Sequence, residues 1–473
     1  MKFPSLDFEL DLQVVIGAVV STFGGAGVVW LDQTPIFWVA MASVYGAVSA
    51  ALMGERVTDP GRGFVWGIGF ASFAVVVVTT SLNLAGISVG TDGFFGMYIR
   101  TILGIGAPTG LAIGFLQYLR TENRGSIHVL RAVTVGGVSG LVGGWIFGAW
   151  MAQNGIFPLI AGIVGSTSPQ VGKLLHFVIA VTIGVTFALL FQKDLVNYGS
   201  SLVWGLGYGL FWWMLGGLTL FPLFLGNDPS WSVAAAHQRF GSLIGHAVYG
   251  ILLGLLYMFL DNAWDTLFVG SDPLNRRSGG PGIRNLEMMK LGATSSLLGS
   301  LLFGVLLYET GKLVVVASLV GSSSKAVGFL VHLCVGAIVG MTYGLLFRYE
   351  SPDLGSGIVW GLTYGYVWYI VGPLTLLPTL QGRPVTWGST AVASTFPLLI
   401  GHFLYGGATG AVFYALEKKQ LRWGRIDKRM VESEREKRRD KGSAAPGLWI
   451  FVFDTGVVAM AVLLKLGVSV LVH

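Results

Sequence analysis

The chain has 473 residues, of which 53% are hydrophobic and 11% charged, with a formal net charge of +6 and a single cysteine, Cys334. A soluble domain carries about 25% charged residues, so this composition, with a mean hydropathy of +0.70, excludes an ordinary soluble protein and belongs to a chain lying mostly in lipid. One cysteine excludes an internal disulfide and any Cys-rich metal or iron–sulfur site, and no phosphate-binding loop, HExxH or Gly-x-Ser-x-Gly motif points to an enzyme.

Apolar runs of bilayer-spanning length, about 20 residues, follow one another from the start. Residues 1–125 hold four, near 12–30, 35–53, 63–84 and 97–119. The first is preceded by Asp7, Glu9 and Asp11 instead of a basic leader, so it reads as a retained span and not a signal peptide. Residues 126–262 hold four more, near 132–152, 172–191, 199–221 and 239–260, and a linker, 263–288, follows. The next four fall in 289–416, near 289–307, 327–347, 355–377 and 396–415. A charged segment, 417–446, carries Lys418, Lys419, Arg422, Arg425, Lys428 and Arg429. It suits a solvated helix at the membrane surface, touching anionic lipid or a partner, or serving only as a tether that fixes topology. A last span near 447–472, within 447–473, contains Asp454 and Lys465. The expected total is about thirteen spans.

Residues 136–260 recur at 292–416 in constant register, 156 residues on. Gly136 maps to Gly292, His176 to His332, Trp204 to Trp360, Trp231 to Trp387 and His246 to His402. Each copy has four spans, and an even number makes the copies parallel, related by an axis along the membrane normal. The first four spans read as a worn third copy. Gly63–Gly67 echoes Ser200–Gly205 at an offset of about 138, Gly46 aligns with Gly184, Trp38 stands at the His176 position and the His246 position falls near Gly106. The expected fold is therefore an all-α polytopic integral membrane protein: three parallel four-helix repeats, the first degenerate, plus a C-terminal helix.

Lys and Arg concentrate in 54–62, 120–131, 192–198, 261–290, 348–354 and 416–446, whereas the alternate loops hold few. By the positive-inside rule these segments are cytoplasmic, which gives a multi-pass protein of the cell membrane with its N-terminus inside and its C-terminus outside. The basic excess is thus a topology signal. The partner it implies is the lipid bilayer, with no nucleic acid.

The most repeated sequence lies on the third span of each clear copy. Trp204, Tyr208 and Trp212, with Trp360, Tyr364 and Trp368 in the next copy, are spaced i, i+4, i+8 and form an aromatic stripe beside a stripe of small residues, Gly205 and Gly209. Small residues at that spacing let helix backbones approach closely in lipid. The stripe is either packing or an aromatic wall along a ligand or permeation path.

Histidine carries the chemical argument. Four of the seven lie in spans: His176 and His246 in one copy, His332 and His402 in the next. Ionisable residues within a bilayer are costly and are functional candidates by default. Both members of a pair sit a few residues into spans that run in the same direction, so the two imidazoles are expected at similar depth near the outer face. Glycines follow at i+4, Gly250 after His246 and Gly406 after His402.

Three readings compete. Paired imidazoles could ligate a haem b in each repeat, with glycine making room for the ring, as in an electron carrier with a membrane or extracytoplasmic redox partner. They could line the pore of a channel or permease for a small solute. They could instead make interhelical hydrogen bonds in a non-catalytic scaffold or assembly subunit. Haem leads because the spans of the repeats contain no Asp or Glu, which proton- or cation-coupled transporters usually place at mid-membrane. A two-His metal site lacks further ligands. The short apolar runs 157–164 and 313–320, each followed by Ser-rich sequence, are too short to span and are expected to lie at the outer face, where Trp231 and Trp387 could help form a lid.

Overall fold

The computed structural model describes residues 8–32, 37–53, 57–120, 129–264, 281–423 and 446–463. These residues are all helical or connecting, with no strand among them. Among the described residues ten helices are long and apolar enough to cross a membrane, the hallmark of a multi-pass membrane protein. Of the thirteen expected spans, 35–53 and 447–472 coincide with shorter apolar helices, and 355–377 falls on a helix outside that set of ten. Lys465 and most of the charged 417–446 segment lie outside the described residues.

The first four spans are α1 (Phe8–Asp32), α2 (Phe37–Met53), α3 (Pro60–Leu84) and a fourth made of α4 (Thr91–Arg100) and α5 (Ala107–Arg120) joined by a π-helical turn, Thr101–Gly106. Next come α6 (Val129–Gln153), the short α7 (Phe157–Ala161), α8 (Pro169–Phe191) and α9 (Tyr198–Trp212). A π-helical stretch, Trp213–Leu220, leads from α9 to α10 (Phe221–Phe224), α11 (Val233–Gln238) and α12 (Phe240–Trp264). The same order follows in α13 (Pro281–Glu309), α14 (Leu313–Ala317), α15 (Lys325–Phe347), α16 (Leu354–Val371) with its π-helical turn Gly372–Leu376, α17 (Leu377–Leu380) and α18 (Ser389–Trp423). The last is α19 (Pro446–Phe453), continued by a π-helical turn, Asp454–Ala459, that contains Asp454. The apolar runs 157–164 and 313–320 are short helical turns, each closed by a left-handed glycine, Gly165 with φ 69° and Gly321 with φ 71°.

The chain forms two compact units, one of residues 1–194, 204–253 and 444–473, the other of 195–203 and 254–443. In the first unit, a Cβ on Gly136 would overlap the Gly184 carbonyl oxygen, and one on Gly184 the Gly136 oxygen, so the α6 and α8 backbones touch. In the second unit Gly292 and Gly340 oppose each other on α13 and α15 in the same way. Likewise Gly250 of α12 meets the carbonyl of Gly205 on α9, as Gly406 of α18 meets that of Gly361 on α16. Lipid offers no hydrophobic force between helices, so such backbone contact is what holds pairs together.

The first four spans use the same device. Gly17 and Gly46 join α1 to α2, and Gly63 and Gly67 of α3 oppose Gly110 and Gly106. An Asx N-cap opens each third span: Asp59 Oδ1 accepts from Arg62 N, Asn197 Oδ1 from Ser200 N and Asp353 Oδ1 from Ser356 N, at 2.9, 2.8 and 2.8 Å. The side chain of Trp38, expected at the His176 position, lies outside the described residues. Gly106 faces the Gly67 carbonyl, a backbone contact of the same kind as that of Gly250 with Gly205.

Candidate functional site

In the first unit, His176 is buried in α8 and its Nε2–H donates to the Gly144 carbonyl of α6 at 2.8 Å. A carbonyl only accepts, so this nitrogen carries the proton. His246 on α12 is half-buried, and its Nδ1–H donates to the Ser242 carbonyl one turn back, at 2.8 Å. Phe147 packs against both imidazoles, 5.9 Å from the His176 ring and 5.0 Å from the His246 ring, edge to face with both. The second unit repeats this. His332 Nε2–H donates to the Ser300 carbonyl at 2.9 Å, His402 Nδ1–H to the Leu398 carbonyl at 2.7 Å, and Phe303 lies 5.2 and 4.7 Å from the two rings.

Haem b does not fit these residues. Bis-imidazole ligation needs the two Nε2 lone pairs facing one iron at about 2 Å each. Here the Nε2 atoms of His176 and His332 are protonated and spent on carbonyls, and a phenylalanine ring is packed on both imidazoles of each pair. Nor do Gly250 and Gly406 leave room for a macrocycle, because each is closed against a neighbouring helix backbone. Among the described residues no group of three or more His, Cys, Asp or Glu is placed to hold a metal ion.

The aromatic stripe packs inward. Trp204 and Tyr208 are buried against Phe191 at 4.9 and 5.5 Å, and Tyr208 leads on to Trp212 at 6.2 Å. Trp360 and Tyr364 pack on Phe347 at 5.6 and 5.5 Å, with Trp368 6.2 Å beyond Tyr364. The segments that follow the two π-helical stretches, and the short α7, pack near the histidines. Trp231 Nε1–H donates to Thr219 Oγ1 at 2.9 Å and Trp387 Nε1–H to Thr375 Oγ1 at 3.0 Å, while Phe157 of α7 lies 5.9 Å from His176.

At the opposite end of α8 and α15 stand buried carboxylates that sequence reasoning missed. Asp194 is buried and accepts from Arg62 Nε at 2.7 Å. Burial pushes its carboxyl up from 3.8 to about 6, and the nearby Asp59 carboxylate adds to the rise, with Arg62 opposing it. Its counterpart 156 residues on, Glu350, is buried and accepts from Asn197 Nδ2 at 2.7 Å. Glu417 at the end of the α18 span is also buried, and both glutamates act on the Tyr343 hydroxyl. The register that carries His176 to His332 also carries Asp194 to Glu350 and Asp261 to Glu417. That register is the signal the sequence offers, and it is weak because all four lie at the borders of apolar runs.

No family model, curated protein or solved structure matches this chain.

Proposed function

We propose that the chain is a channel or permease for a small solute in the cell membrane, built of three parallel four-helix repeats, the first degenerate, plus a C-terminal helix. In this reading about thirteen helices span the bilayer, with the N-terminus cytoplasmic and the C-terminus outside. The observation that carries it is the pairing of ionisable groups at the two ends of one helix. His176 lies two turns into α8 and Asp194 just past its end, and His332 and Glu350 stand likewise on α15, each pair 18 residues apart. At 1.5 Å per residue that is roughly 27 Å, close to the thickness of the hydrocarbon core. Buried ionisable groups near a membrane cost free energy that packing alone has no use for, and they mark solute or ion pathways. The presence of buried carboxylates also removes the reason for preferring haem.

A scaffold or assembly role is the second reading, favoured by the Gly-to-carbonyl contacts that bring helix pairs into backbone contact. Purified full-length protein reconstituted into liposomes separates the two. Osmotic shrink–swell with small neutral solutes, run beside a pH-gradient assay, is expected to give passage above that of empty vesicles. No passage of any solute tested sinks the transport reading and leaves the scaffold.

A further inference from the structure

One buried donor in the first unit has no partner. The Trp213 ring, at the start of the π-helical stretch after α9, is fully buried, and its Nε1–H meets no acceptor among the described residues. A buried N–H requires a partner. Beside it Gly217 leaves a gap: a Cβ there would lie 3.5 Å from Trp213 Cδ1 and 4.0 Å from both His246 Cε1 and Ser242 Oγ. Those are contact distances, so one ligand atom seated at that point touches all three side chains. Cδ1 is bonded to Nε1 and Cε1 to Nε2, so the unpartnered donor and an imidazole acceptor border the same gap. The acceptor is His246 Nε2, because Nδ1 holds the ring proton and donates it to the Ser242 carbonyl.

A cation stands next along the same edge. Arg239, Ser242 and His246 fall at i, i+3 and i+7, on one face of α12 and the residue before it. Arg239 is half-buried, and its Nη1 donates to Ser230 Oγ at 2.8 Å and to the Ala235 carbonyl at 3.5 Å, both neutral. No carboxylate pairs with it among the described residues, and burial alone lowers its pKa. Ser230 N–H donates to the Leu218 carbonyl at 2.7 Å, so the guanidinium is held beside the residue that follows Gly217. A second guanidinium, that of Arg100, lies over the Trp231 ring, 5.5 Å from its centre. Asp92 of α4 accepts from Val233 N at the start of α11, 2.7 Å away.

Resting on the transport reading, we propose that this edge of the first unit binds a short hydroxycarboxylate, with its carboxylate on Arg239 and its hydroxyl in the Gly217 gap. There the hydroxyl accepts from Trp213 Nε1–H and donates to His246 Nε2, which satisfies the buried donor and uses both capacities of the hydroxyl. Arginine forms charge-assisted pairs with carboxylates, stronger than its bonds to neutral groups, so a neutral analogue is disfavoured. The second unit is built differently at this place. At the positions of Trp213, Gly217, Arg239 and Ser242 it has Tyr369, Pro373, Thr395 and Leu398. The Tyr369 hydroxyl closes on Thr395 Oγ1 at 3.2 Å and on the Val392 carbonyl at 3.3 Å, with no cation and no glycine gap at the matching positions.

The test titrates lactate into full-length protein in detergent by calorimetry, with lactamide and propionate as controls. Shrink–swell with glycerol and with lactate is run on liposomes of the same preparation. Wild type is expected to bind lactate, and to bind lactamide, which is neutral, and propionate, which has no hydroxyl, at least tenfold more weakly. Arg239→Gln and Trp213→Phe are each expected to weaken lactate binding tenfold or more, whereas Arg239→Lys keeps the charge and should lose less. Tyr369→Phe, in the second unit, is expected to leave it unchanged. No binding of lactate overturns the site, and so does equal affinity in wild type, Arg239→Gln and Trp213→Phe. Affinity for lactamide or propionate equal to that for lactate overturns it too. Liposome passage decides the transport reading separately. Glycerol passage without lactate binding leaves a permease with no such site, and lactate binding without passage of either solute leaves a binding site and sinks transport.

Discussion

Asn197 donates its Nδ2 hydrogen to Glu350 Oε1 across 153 residues of sequence, at 2.7 Å, while its Oδ1 caps α9 through Ser200 N. One side chain thus closes a helix N-terminus and partners a buried carboxylate. Replacing it with alanine removes a cap, worth about 1 kcal/mol, and leaves a buried acceptor short of a donor, a further 1–3 kcal/mol or so. Asn197→Ala is expected to lower the thermal midpoint in detergent by several degrees. Asn197→Asp keeps the cap but sets two carboxylates together, so its loss should be larger at pH 8 than at pH 5. Equal losses at both values would mean Glu350 is held by other partners.

Asp194 gives a pH dependence of definite sign. Its folded-state value of about 6 lies above the ordinary 3.8, chiefly through burial and then through Asp59. A raised carboxyl favours the protonated folded form. The stabilisation is therefore complete below about pH 4 and is lost as pH rises through 6. Asp194→Asn, which mimics the neutral acid, is expected to flatten the stability profile between pH 4 and 7 relative to wild type. Identical profiles would show that Arg62 neutralises the carboxylate fully.

The glycine faces make a steric prediction with its own control. Leucine at Gly250 or Gly406 would drive a side chain into the carbonyl of Gly205 or Gly361 and is expected to abolish folded, detergent-stable protein. Gly27 has nothing within 4 Å of a Cβ position, and Gly27→Ala is expected to be neutral or to stabilise α1 by up to about 1 kcal/mol. Monodisperse recovery after size-exclusion chromatography reads both. Well-behaved Gly250→Leu protein would place that face on lipid.

Much of this architecture could be read from the residues. Apolar runs located the helices, and the 156-residue register located the helix contacts of the second repeat once those of the first were known. The site was less legible, for physical reasons. A span search discards charges at helix borders, and the partners of Asp194 and Glu350, Arg62 and Asn197, lie 132 and 153 residues away. Phe147 and Phe303 look like ordinary apolar residues of a span, and nothing in their spacing indicates that each ring packs on two imidazoles. The glycine after each histidine was read as space for a ligand, because sequence gives the size of a residue but not the neighbour that fills the vacancy.

The visible spectrum tests what the histidines do. With Nε2 of His176 and His332 protonated and bonded to carbonyls, purified protein supplied with haem during expression is expected to show no Soret band. A band lost on mutating either member of one pair would reinstate the electron carrier.

The phenylalanine packed on each pair of histidines can be tested in both repeats. Phe303→Ala removes the ring packed on both His332 and His402, at a cost of about 3–5 kcal/mol of stability if the core does not relax. Opening this contact is expected to raise passage of small solutes in the liposome assay severalfold over wild type. Phe147→Ala removes the ring packed on His176 and His246 and is expected to act alike. Phe303→Leu, which keeps most of the volume, should fall between wild type and alanine. Passage unchanged in both alanine variants would mean that the rings are generic packing with no bearing on transport.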